Sequence, residues 1–195
     1  WDPERAESIR VRCAGKPATV SEKTKKSSQS PPQLYDLTLL QREANSRFGF
    51  SAKNTLGLAQ ALYERHKVLT YPRTDSRYLP EDYLETVQKT LGHQENWTFG
   101  TFARMALQKG YIKPDKRIFN NNKVSDHHAI IPTTLLPKNL SEPELKIYQM
   151  VVQRFLAVFF PPAIYQNTTR LSIVEEETFL TEGKILVEKG WRAIY

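Results

Sequence analysis

The chain has 195 residues, 39% of them hydrophobic, and Lys+Arg 28 against Asp+Glu 21 gives a formal net charge of +7. That length allows one large domain or two small ones, and the basic balance favours a polyanionic partner without requiring one. The single cysteine, Cys13, excludes an internal disulfide and a cysteine-based zinc site, and no apolar run approaches the roughly 20 residues of a membrane span.

Trp1-Asp2-Pro3-Glu4-Arg5 lacks both a signal-peptide layout and an initiator methionine. The expectation is a soluble, cytoplasmic piece of a longer protein, with Cys13 a small buried residue. Along Ser8–Gly15, Ile9, Val11 and Cys13 alternate with Arg10 and Arg12, which predicts a half-buried strand. Residues 21–33 are polar, lysine-bearing and closed by Pro31-Pro32, the composition of a linker or hinge. Thr38 and Gln41 match a capping box, with Leu40, Ala44 and Phe48 at helical spacing and Gly49 as the stop.

Ser51 starts a second helix whose expected face is Ala52, Leu56, Ala59, Tyr63 and His66. Lys67–Tyr71 is a short β-rich run that Pro72 ends, so Tyr71 sits at an element boundary, where side chains can be aimed into a cleft. Helices are predicted from Pro80 through Leu91 and from Phe102 to Leu107, with a loop over 112–125. Ser141-Glu142-Pro143-Glu144 is a second capping box; Leu145, Tyr148, Val152, Phe155 and Phe159 face one side of the helix that follows, and Pro161-Pro162 ends it. Strands are predicted over 168–174 and 178–187, with Trp191 closing the tail.

Thr70-Tyr71-Pro72-Arg73-Thr74-Asp75-Ser76-Arg77-Tyr78 concentrates the reactive groups. A tyrosine hydroxyl beside a guanidinium suits attack on a phosphodiester, since the arginine can hold non-bridging oxygens more tightly in the transition state than in the ground state. Asp75 either orients Arg73 or caps the following turn. Arg77 and Tyr78 are placed to track a backbone or stack on a base. In Asp126-His127-His128-Ala129, adjacent histidines rarely reach one ion and no i,i+4 partner exists, so no metal site is expected. One of the pair contacts a phosphate, or both are structural. Gln41 either contacts nucleic acid or only completes its capping box. No phosphate-cradling glycine loop is present.

Three blocks in order, Pro31–Gln41, Thr70–Ser76 and Asp126–Thr133, resemble the type IA DNA topoisomerases, most of all the bacterial topoisomerase III branch. The resemblance covers nearly the whole chain, weakest in 1–20 and 88–120. It implies an α+β fold in which a mostly helical active-tyrosine domain (31–167) is inserted between β-strands of the arch domain, with strands and a hinge at 1–30 and returning strands at 168–195. It implies that Tyr71 is the nucleophile joined to a 5′ phosphate and that Arg73 stabilises the scissile phosphate. His127, Gln41, Thr38 and Arg77 would meet the bound strand. DNA, mainly single-stranded, is the implied partner of a monomer without a membrane, acting at the bacterial nucleoid in relaxation or decatenation without ATP. Mg²⁺ is implied for the whole enzyme on a Toprim domain that nothing here matches, so this piece alone is expected to bind DNA, to hold no metal and to cleave little. Connections at about 21–33 and 161–168 would be the hinges.

A different class of reading is a non-catalytic single-stranded DNA-binding module in which Tyr71 stacks on a base. Replacing Tyr71 with phenylalanine separates the two. A tyrosine recombinase ranks below both, because its tyrosine follows its arginines and histidines, whereas Tyr71 precedes His127. A purely structural domain leaves the three ordered blocks unexplained.

Overall fold

The computed structural model describes residues 2–195. The chain divides into two compact units, one of residues 2–29 and 162–189, the other Ser30–Pro161 with Gly190–Tyr195. It passes between them at three points, where the sequence suggested two connections.

The first unit is a three-stranded antiparallel sheet in the order β1-β2-β3, preceded by helix α1. Helix α1 (Pro3–Cys13) replaces the strand expected over 8–15. The Asp2 carboxylate accepts from the Glu4 and Arg5 amides, Pro3 opens the first turn, and Arg10 and Arg12 sit at the negative end of the helix dipole. The alternating pattern misled because α1 buries no residue, so hydrophobicity did not set its period. Cys13, expected buried, is half-exposed, its thiol 3.8 Å from the Val174 carbonyl.

The stretch expected to be a hinge is strand β1 (Thr19–Gln29), exposed along its length. It pairs with β2 (Ala163–Val174) from Thr19↔Ile173 to Gln29↔Ala163. Polar cross-strand pairs take the place of a hydrophobic face: Arg170 with Glu22 at 2.7 Å, Thr24 with Thr168 at 3.2 Å, and Asn167 donating to Ser27 at 2.7 Å. Strand β3 (Glu177–Glu188) completes the sheet. Both tail strands are present, but β2 starts earlier than expected, so residues 163–167 belong to the sheet and not to the helical part.

The second unit is mostly helical: α2 (Leu37–Phe48), α3 (Ala52–Glu64), α4 (Leu84–Gln94), α5 (Gly100–Gln108) and α6 (Glu142–Ala157). Asp36, not Thr38, caps α2, its carboxylate accepting from the Leu39 amide at 2.6 Å; Thr38 lies exposed in the first turn. Gly49 takes the left-handed conformation (φ 70°) that ends α2. Ser51 caps α3 as expected, but the buried stripe is Thr55, Ala59 and Leu62, and Ala52 is exposed. Gly100 is obligatory, since a Cβ there would lie 2.0 Å from the Glu95 carbonyl oxygen.

Helix α6 is the spine of this unit, buried on almost every side and packed against α3, α5 and the 190–194 turn. At its start the Glu144 carboxylate accepts from Ser141 N at 2.8 Å and Oγ at 2.7 Å, and pairs with Arg65 and His66. Burial opposes its ionisation, but the Ser141 and His66 hydrogen bonds and the Arg65 charge outweigh that and hold the carboxyl down at about 2. A depressed carboxylate contributes stability that is complete above its unfolded pKa near 4.5 and is lost as pH falls through about 2. Glu144→Gln is therefore expected to flatten the acid limb of a stability-versus-pH curve between those values. An unchanged limb would contradict this.

Candidate active site

Backbone pairing stitches the three sequence blocks together. The Ile130 amide donates to Tyr35 O at 2.9 Å, Ala129 N to Tyr78 O at 3.0 Å, Thr70 N to Ile131 O at 3.0 Å and Leu37 N to Thr74 O at 3.0 Å. Short polar side chains lock the turn around them. Buried Thr74 donates to His127 O at 2.9 Å and accepts from Ser76 N at 3.1 Å, while buried Ser76 donates to Lys123 O at 2.8 Å. Thr70 Oγ1 accepts from Ile131 N at 2.9 Å. The hydroxyls that make this segment look reactive are thus largely structural; they fix where Tyr71 and Arg73 stand.

The half-buried Tyr71 ring lies 4.4 Å from the His127 ring and 5.4 Å, edge-on, from Tyr63 of α3. His127 and Arg73 line one open cleft of about 300 Å³ together with Thr74, Asp75, Ser125 and Asp126. Arg73 is exposed; with the Gln60 amide oxygen turned towards it, Gln60 accepts from its Nε and Nη2 at 3.2 Å each. That leaves the other edge of the fork available to an oxyanion. Asp75 neither pairs with Arg73 nor caps a helix; it accepts from Ser125 Oγ at 3.0 Å.

The two histidines part company. His128 turns into the packing, its ring nitrogens 2.8 Å from Ala129 O and 3.2 Å from Tyr83 OH. Burial lowers its pKa, which favours the neutral ring with Nδ1 donating to the carbonyl and Nε2 accepting from the phenol. Only His127 is left to the cleft.

Three further residues singled out from the sequence stand apart from the Tyr71–Arg73–His127 group. Arg77 donates through Nε to Asp36 at 2.6 Å, tying the segment to the start of α2. Gln41 donates to Ala52 O at 3.0 Å, joining α2 to α3 instead of closing a capping box. Thr38 is exposed without a described side-chain partner. Sequence reasoning missed Gln60 as the partner of Arg73 and read Tyr63 as core. Their i,i+3 spacing on α3, one face that meets the segment just after the helix, was the available signal. Among the described residues no three His, Cys, Asp or Glu side chains gather to hold a metal ion. Nor is any described helix long and apolar enough to cross a membrane.

The profile of the DNA topoisomerase family matches residues 1–195. The chain is 46% identical over 198 residues to DNA topoisomerase 3 of Bacillus cereus (strain ATCC 14579), covering 100% of this chain and 27% of that protein. With DNA topoisomerase 3 of Bacillus subtilis (strain 168) it shares 46% identity over 184 residues, 93% of this chain and 25% of the relative. It thus spans about a quarter of the length of these relatives. Full-length topoisomerase I from Thermotoga maritima has a similar fold, with a TM-score of 0.70 over 100% of this chain and 32% of that one, at 23% identity.

Proposed function

The chain belongs to the DNA topoisomerase family, on its type IA branch and close to topoisomerase III, and we propose that it carries the strand-cleaving tyrosine of such an enzyme. In this reading Tyr71 Oη attacks the phosphorus of a phosphodiester in single-stranded DNA. The new Oη–P bond joins the tyrosine to the 5′ phosphate, the bond from phosphorus to the 3′ oxygen breaks, and that oxygen leaves as a hydroxyl carrying the proton the phenol gives up. After strand passage the 3′ hydroxyl attacks the phosphotyrosine and restores both groups. One phosphoester bond is exchanged for another in each direction, so no ATP is consumed.

Arg73 binds the non-bridging oxygens, where negative charge grows as the phosphorus becomes crowded. Gln60 holds the guanidinium in place. His127, its ring tilted against that of Tyr71, donates to the same phosphate and fixes the phenol's direction. The observation that carries the reading is the meeting of Tyr71 and His127 at 4.4 Å, with His127 and Arg73 on one cleft. Thr38, Gln41 and Arg77 then belong to a surface along which the strand lies, Arg77 keeping a second role at Asp36. The Mg²⁺ that the family reading implies, with its acidic ligands, sits on a Toprim domain outside this chain, and no step above is routed through it. The sheet unit corresponds to part of the arch. Gate opening concentrates hinge motion at the crossings near Ser30, Pro161 and Gly190, because β1, β2 and β3 are paired almost up to those points.

The test is a chimera in which this chain replaces the matching segment of the Bacillus subtilis relative. Tyr71→Phe is expected to abolish strand cleavage while leaving single-strand affinity within about threefold, since a phenyl ring stacks as well as a phenol. Cleavage that survives the change overturns the proposal. A parent chimera that grips single strands but never cleaves them supports the binding-module reading instead.

A further inference from the structure

Lys67 has a φ of 58°, in the left-handed region, where the clash of a Cβ with the following carbonyl makes glycine the favoured residue. Two other described residues besides glycines share this conformation: Asn139, of a type that tolerates it, and Glu175, which turns the chain from β2 to β3. Lys67 instead sits beside the Tyr71 segment. We propose that it grips the DNA strand there, its ammonium on the phosphate next to the one that Arg73 takes, a role that rests on the reading of Tyr71 as the cleaving tyrosine.

Main-chain bonds impose the conformation. At the end of α3 the Arg65 and His66 amides both donate to Ala61 O, at 3.0 and 3.1 Å, and the Val68 amide reaches back to Leu62 O at 2.9 Å. Closing the helix in this way and turning the chain back across it calls for a left-handed residue. The third sequence block clamps the turn: Thr133 Oγ1 donates to Lys67 O at 2.7 Å and Thr133 N to Val68 O at 3.0 Å. Glycine would make every one of these bonds without the steric cost. The turn therefore needs the backbone of residue 67 and not its side chain.

The side chain adds a positive charge in line with the reactive groups. After the turn the chain runs back along α3, so that Tyr71 meets Tyr63 with ring centroids 5.4 Å apart and, further on, Arg73 meets Gln60 at 3.2 Å. The Lys67 ammonium lies 5.7 Å from the Tyr63 ring centre, within cation–π reach. Along Gln60, Tyr63 and Lys67 the groups thus follow in the order guanidinium, phenol, ammonium. A single strand laid over them meets a cation before and after the nucleophile, as its successive phosphates require. Two other things would attract an ammonium here, the negative end of the α3 dipole and a carboxylate elsewhere in the enzyme. Neither changes the number of counterions that a bound strand releases, and that number is measurable.

Binding of oligodeoxythymidylate is followed across a salt series in the chimera carrying Tyr71→Phe, so that no cleavage intervenes. Lys67→Gln is expected to weaken binding about threefold or more and to make the slope of log K against log salt shallower by about 0.7, the share of one phosphate on a single strand. Lys67→Arg should restore both. Lys67→Gly should melt no lower than the parent and yet bind like the glutamine variant, because it relieves the backbone while removing the charge. With Tyr71 present, Lys67→Gln should slow cleavage at limiting strand and leave it within about twofold at saturation, since this contact is equal in ground and transition states. A slope that Lys67→Gln leaves unchanged, or an arginine variant that binds no better than the glutamine one, would overturn the proposal. A parent chimera that never cleaves, but whose slope still falls in Lys67→Gln, removes the reading of Tyr71 and keeps Lys67 as a strand contact.

Discussion

Arg154→Met is expected to destabilise the helical unit by about 3–5 kcal/mol, the usual cost of removing one partner from a buried ion pair. Arg154 lies in the buried part of α6, only 7% exposed, and its guanidinium is 4.2 Å from the Tyr35 ring centre. It satisfies Tyr35 OH, Tyr195 OH and Gln33 O and balances Glu43. Methionine fills much of the volume and replaces none of those donors, so a wholly buried phenol loses its donor and Glu43 keeps only Arg47. The measurement is urea unfolding followed by near-ultraviolet circular dichroism, read as a lower midpoint at unchanged slope. A second substitution, Glu43→Gln in the Arg154→Met background, should recover part of the loss by removing a half-buried charge that Arg47 alone then balances. A loss below about 1 kcal/mol would show that water replaces the guanidinium without penalty, contrary to its burial.

Arg73→Ala, in the chimera, is expected to slow strand cleavage by about 10²–10³-fold, the range for deleting one preorganised donor to a developing oxyanion. Stability should hardly change, because Arg73 is exposed and Gln60 is its described partner. Arg73→Lys should fall between the two: it restores a charge but not the two-pronged fork that Gln60 and a phosphate can share. A loss smaller than about tenfold for the alanine variant would remove Arg73 from the transition state and leave it a role in binding alone.

Where hydrophobic burial or cap chemistry decides the local structure, the sequence announced it. Gly49 after Phe48, Ser51 before Ala52 and Ser141 with Glu144 all mark the ends they were expected to mark. The sequence misled where burial does not decide. Strand β1 carries Ser, Thr and Lys on both faces and is held by backbone pairing to β2, a partner far along the chain, so no window of local composition reports it. Helix α1 hides no apolar stripe, and its starting signal, Asp2-Pro3-Glu4, was outweighed by a chance alternation.

The candidate site divides in the same way. Tyr71, Arg73 and His127 were singled out because they lie in dense blocks of reactive residues. Residue types alone left His127 and His128 equivalent and the family resemblance chose His127; in the structure it is His128 that packs against Tyr83. Asp36 was invisible as a hub because Thr38 offered a plausible cap two residues later. Gln60 is one polar residue on a helix face, and its meaning depends on where the segment after Val68 turns back across α3.

The most direct measurement is to trap the cleaved intermediate of the chimera on a single strand labelled on each side of the break, and to sequence the DNA-linked peptide. The DNA is expected to be joined through its 5′ phosphate to Tyr71, the other fragment to end in a 3′ hydroxyl, and the adduct to vanish in Tyr71→Phe. An adduct on any other residue, or a link through the 3′ phosphate, would contradict this.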